Sequence, residues 1–96
     1  MEVRDRKKIA YSDANPVTVH ALRMIIDTFG KENWMVTLVT VEGGYHFHAH
    51  PSQPWKQDKT QVVCAEKSKQ VRVFKNVESA LNLARSFGFK AVAVEL

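Results

Sequence analysis

The run Trp34-Met35-Val36-Thr37-Leu38-Val39-Thr40-Val41 is followed at once by Glu42-Gly43-Gly44 and then by Tyr45-His46-Phe47-His48-Ala49-His50. β-Branched and aromatic residues suit a pleated backbone, and glycine supplies the positive φ that a tight reversal requires. The pattern predicts an antiparallel hairpin, and a hairpin of this length commits the chain to a sheet. The first arm is apolar almost throughout, which suggests a central strand. The second arm alternates. His46, His48 and His50 fall on one side of an extended strand, and Tyr45, Phe47 and Ala49 on the other. Whether the loop holds two or three residues decides which side of the first arm the histidines share, because a slip of one residue exchanges the faces.

The rest of the chain reads as further elements around this hairpin. Asn15 is placed to cap a helix with Pro16 at its first position, where a missing N–H costs nothing. Val19, Leu22, Ile25, Ile26 and Phe29 then make an apolar stripe, and Gly30 is suited to the stop. His20 and Met24 lie on the opposite, exposed side. Pro51 to Lys59 reads as a loop, because its two prolines, Pro51 and Pro54, and its polar run forbid regular pairing. Gln61–Glu66 reads as a third strand, Lys67-Ser68-Lys69 as a turn and Gln70–Phe74 as a fourth strand. Asn76 caps a second helix with Val77, Ala80, Leu81, Ala84 and Phe87 inward and Gly88 at its end. Ala91–Leu96 closes the chain as an interior strand. The expected fold is an α+β two-layer sandwich in the order α-β-β-β-β-α-β. Its sheet is expected to be mixed or mostly antiparallel, with both helices on one face and the other face open to solvent or a partner. One domain is expected over 1–96, with residues 1–11 a flexible basic arm or a short edge strand.

A chain of 96 residues buries a modest core, so a homodimer is the expected supplement. No apolar run approaches the roughly 20 residues that span a bilayer. The basic start (Arg4, Arg6, Lys7, Lys8) leads into no apolar segment, so it does not read as a secretory signal. Cys64 is the single cysteine. It excludes an internal disulfide and points to a reducing, cytoplasmic setting. Its place in Val62-Val63-Cys64-Ala65 marks it as a small buried hydrophobe.

The net charge of +4 is concentrated in one stretch. Lys56, Lys59, Lys67, Lys69, Arg72 and Lys75 stand against Asp58 and Glu66. Tyr45, Phe47, Trp55 and Phe74 are interleaved with these cations, a combination that binders of nucleic acid use. Arg23 is the only basic residue within the first helix, so that helix is a poor recognition helix. The expected role is therefore a non-enzymatic binding or accessory protein that meets nucleic acid or a nucleoprotein complex through an open sheet face and a basic loop. The candidate contacts are His46, His48, His50, Trp55, Lys56, Lys59 and Arg72. One alternative is a protein-binding module, such as a phage or mobile-element inhibitor of a host machine, and charge does not separate the two. Another is a His-rich metal-binding domain. Two imidazoles at i and i+2 on a strand can chelate zinc or copper, with Cys64 or Glu66 as a further ligand if the register allows. No paired-cysteine or helix-borne histidine signature accompanies them, and no other cofactor is expected. Ser52 and Cys64 lie in no nucleophile motif, and Gly43-Gly44 leads into a strand instead of a phosphate-binding helix. Catalysis is not the expected role.

The segment Val71–Glu95 contains the run Val73-Phe74-Lys75-Asn76-Val77-Glu78-Ser79-Ala80-Leu81-Asn82-Leu83-Ala84-Arg85-Ser86-Phe87-Gly88-Phe89, followed by the strand Val92-Ala93-Val94-Glu95-Leu96. It resembles the strand–helix–strand unit of small proteins carried on bacterial plasmids and integrated elements, including partition-associated ones. The likeness covers about a quarter of the chain and consists of apolar spacing and caps. It implies a DNA-associated accessory role and carries over no functional residue.

Overall fold

A computed structural model of the chain describes residues 14–52 and 60–96. The expectations for the arm 1–11 and for Trp55, Lys56 and Lys59 lie outside the described residues. The elements are β1 (Asn15–Val17), α1 (Val19–Phe29), a single 3-10 turn (Lys31–Asn33), β2 (Trp34–Val41), β3 (Gly44–Pro51), β4 (Gln61–Val63), α2 (Val77–Ser86) and β5 (Ala93–Glu95). They form an α+β fold with one mixed sheet in the order β1-β4-β3-β2-β5. β1 runs parallel to β4 and β2 parallel to β5, while β3 is antiparallel to both β2 and β4. β3 therefore runs against the other four strands.

The hairpin fixes the geometry of the rest. Val41 pairs with Gly44, so the loop is the two residues Glu42-Gly43. Gly43 stands at φ 87, in the left-handed region that only glycine enters without cost. Gly44 is required for a different reason. Phe74 approaches it so closely that a Cβ there would collide with the Phe74 carbonyl. That approach lets Tyr45 and Phe74 exchange two backbone hydrogen bonds of 2.9 and 2.8 Å.

The core follows from the alternation. Trp34, Val36 and Leu38 of β2 and Phe47 and Ala49 of β3 are buried in one cluster with Leu22 and Ile26 of α1 and Ala80 and Ala84 of α2. Phe47 is wholly buried, and burial of such a ring stabilises the fold by roughly 1.5–3 kcal/mol. Its ring meets Phe74 at 6.0 Å and Phe87 at 6.1 Å, in tilted and edge-on contacts. Between the helices, the Arg23 guanidinium lies 4.6 Å over the Phe87 ring. It also donates to the Ser86 carbonyl at 2.9 Å, at the C-terminal, negative end of α2.

Several expectations are corrected. Asn15 and Pro16 do not begin the helix; they belong to β1, and the element order is β-α-β-β-β-α-β. Asn15 N–H donates to Thr60 O at 2.8 Å, so pairing with β4 outweighs the local capping preference. Thr18 caps α1 instead, its Oγ1 accepting from Ala21 N–H at 3.1 Å. The proposed fourth strand over Gln70–Phe74 survives only as two isolated bridges, Cys64 with Val71 and Tyr45 with Phe74. The segment leaves β4 and reaches the far end of β3, so it cannot keep one ladder. The third strand is shortened to Gln61–Val63. The last strand is not interior: β5 stands at the end of the described sheet. Phe29, the last residue of α1, continues the apolar stripe in sequence but is 62% exposed.

Candidate nucleic-acid interface and the histidine row

The histidines share the face of Met35, Thr37 and Val39, since His50, His48 and His46 pair with these residues in register. They are turned away from Phe47 and Ala49, as the alternation requires. The face is not open at this point, however. His48 is 3% and His50 9% exposed, and His46 is half-buried. β3 is the central strand, and His48 is flanked in register by Thr37 on one side and Val62 on the other. His46 and His50 both lie beyond the paired residues of β4, and His46 is the less enclosed of the two.

The electrostatics follow from burial. Desolvation lowers the pKa of His48 to about 4, with smaller contributions from His46 and His50 beside it. Burial lowers the pKa of His46 as well. Both imidazoles are therefore neutral at pH 7 and supply no cation to a phosphate backbone. The rings of His46 and His48 are 6.2 Å apart and tilted by 41°. His50 Nε2 is hydrogen-bonded to Thr37 Oγ1 at 2.8 Å. Glu95 joins this face from β5 through its register with Val39. It is buried, and its Oε2 makes no hydrogen bond. Sequence reasoning passed over Glu95 because it ends an apolar run, although its strand period places it on this face. Among the described residues no group of three His, Cys, Asp or Glu side chains is placed to hold a metal ion. Cys64 is buried, as its apolar neighbours implied.

The basic stretch takes a definite shape. Ala65 N–H donates to Gln70 O at 2.8 Å and Lys69 N–H to Ala65 O at 2.9 Å, which closes a tight reversal. Arg72 N–H donates to Val63 O at 3.0 Å and ties the returning limb to β4. Lys67, Lys69, Arg72 and Lys75 are all exposed along this hairpin, with Glu66 as its acidic residue. Lys69 has a φ of 61 and is the one non-glycine residue at positive φ among those described. A lysine there costs about 1–2 kcal/mol relative to its normal conformation. The Arg72 guanidinium lies 4.4 Å over the Phe74 ring.

Of the candidate contacts, the structure thus places Arg72 on an exposed basic hairpin and His46, His48 and His50 on a largely buried sheet face. Lys67, Lys69 and Lys75 belong to the basic stretch without being among the candidate contacts, and the structure sets them beside Arg72 on the same exposed hairpin. The signal for Lys69 was its place in a predicted turn, where a cation must be exposed. Among the described residues no helix is long and apolar enough to cross a membrane. No protein-family model, no curated protein and no solved structure matches the chain. The class defined by the fold is therefore an α+β mixed-sheet domain carrying a basic hairpin.

Proposed function

We propose that this protein is a small, non-enzymatic binding protein that engages nucleic acid, or a nucleoprotein complex, through the hairpin 65–75. The observation that carries this reading is the exposure of Lys67, Lys69, Arg72 and Lys75 on a loop whose backbone is pinned at both ends. Cations held in this way meet phosphates with little ordering cost. Lys56 and Lys59 continue the same basic stretch in the sequence. Residues of both helices share a buried cluster with Phe47, and the four cations of the hairpin are exposed. The setting is cytoplasmic, where Cys64 stays reduced, and the role is accessory, of the kind implied by the likeness to partition-associated proteins. A homodimer would present two such hairpins, and sedimentation equilibrium measures that state directly.

Fluorescence anisotropy with labelled DNA and RNA tests the reading. Four phosphate contacts weaken binding by about 50- to 150-fold between 50 and 200 mM salt. Joint replacement of Lys67, Lys69 and Lys75 by Glu should abolish binding without lowering the melting temperature. Binding that is indifferent to salt and to this replacement sinks the proposal and leaves a protein partner as the alternative. A second reading has one observation in its favour: burial keeps His46 and His48 in the neutral, ligand-ready form with their rings adjacent. It predicts heat on titration with zinc at micromolar protein, lost when His46 and His48 are replaced by Gln.

A further inference from the structure

The geometry points to Arg72, stacked on Phe74, as a platform for one unpaired base, so that the ligand of the hairpin is single-stranded nucleic acid. The inference rests on the reading of the hairpin as a nucleic-acid interface and specifies the ligand.

An exposed arginine normally samples many rotamers. Here the guanidinium lies against the Phe74 ring at 4.4 Å and is held by it. The ring is itself immobile. It is 3% exposed, packs on Phe47 at 6.0 Å, and its backbone is locked to Tyr45 by two hydrogen bonds. The stack is therefore anchored in the core, while Arg72 as a residue is exposed. Among the described residues no carboxylate pairs with Arg72. A planar cation fixed flat on an aromatic ring offers a second flat face, and nucleobases stack on guanidinium planes. Lys69 and Lys75 flank Arg72 in the hairpin and are exposed. They supply point charges for the phosphates on either side of a stacked nucleotide. A duplex hides its base faces in its own stack, so it can use the lysines but not the platform.

The experiment compares the wild type with Arg72→Lys, which keeps the charge and removes the plane. Three ligands are used: a short labelled oligothymidylate, a hairpin duplex of the same charge and inorganic polyphosphate. The inference expects the wild type to bind the single strand more tightly than the duplex. It expects Arg72→Lys to weaken single-strand binding by about 5- to 150-fold, the range for loss of one stacked base. The duplex and polyphosphate affinities, and the salt slope, should hardly change. Polyphosphate also controls for folding, since a misfolded variant would lose that binding too. Equal single-strand affinity in wild type and variant overturns the platform while leaving the hairpin as a phosphate site. Preference of the wild type for duplex overturns it likewise. Failure of the wild type to bind any of the three removes the underlying reading of the hairpin itself.

Discussion

At the scale of single residues, Lys69 illustrates a conflict between stability and binding. Its φ of 61 suits glycine or asparagine, yet the position carries a cation at the tip of the basic hairpin. Lys69→Gly is expected to raise stability by up to about 1 kcal/mol through relief of backbone strain, offset in part by glycine's greater freedom when unfolded. The same change should weaken nucleic-acid binding several-fold. Urea unfolding and anisotropy measured on one preparation test both halves. A variant that is less stable than the wild type would show that the lysine is not strained.

At the scale of elements, the hairpin β2–β3 and its attachment to Phe74 organise the sheet. Gly43 and Gly44 are adjacent, but substitution should affect them very differently. A methyl group at Gly43 meets nothing within 4 Å, so Gly43→Ala bears only the cost of positive φ, about 1–2 kcal/mol. A methyl group at Gly44 meets the Phe74 backbone, which cannot swing aside as a flexible side chain would. Gly44→Ala should therefore break the Tyr45–Phe74 pair and cost well over 2 kcal/mol, with Phe74 partly freed from the core. Denaturation midpoints order the two variants, and hydrogen exchange at Tyr45 and Phe74 reports the broken pair. Equal midpoints would contradict the close approach. The edge at β1 shows a quieter device. Pro16 sits at its middle, and its missing N–H leaves that edge short of a donor for further pairing.

For the whole molecule, the buried imidazoles give stability a definite dependence on pH. In the unfolded chain His48 takes up a proton near pH 6.5, whereas in the folded protein it does so only at about 4. Its contribution to stability is thus complete above pH 6.5 and is lost as pH falls toward 4, with a slope of at most about 1.4 kcal/mol per pH unit. His46 shifts in the same direction. Urea midpoints should fall steadily from pH 7 to pH 5, and His48→Gln should flatten that fall. A wild-type midpoint that stays level over this range would place His48 in water. The imidazoles of His46 and His48 are neutral at pH 7, whereas the cations of the hairpin are exposed, so nucleic-acid affinity near pH 7 should not depend on histidine charge.

Local chemistry was enough to read several parts of this protein from its sequence. β-Branched density and the glycine turn announced the hairpin, period-two alternation divided histidines from aromatics, and Asn76 and the apolar stripes located α2. These features depend on neighbours a few residues apart, and such interactions are written directly in the chain. The tertiary structure alone decided the rest. Asn15–Val17 became a strand because Gln61–Val63 lies alongside it, 46 residues away in register. Gln70–Phe74 lost its ladder because two different strands each claim one end of it. His48 and His50 are buried on the central strand of the described sheet, and Arg72 finds its aromatic support in Phe74, which is drawn against Gly44. Each of these outcomes is set by a contact between segments distant in sequence, and local preferences of about 1 kcal/mol per residue give way when such pairing and burial oppose them.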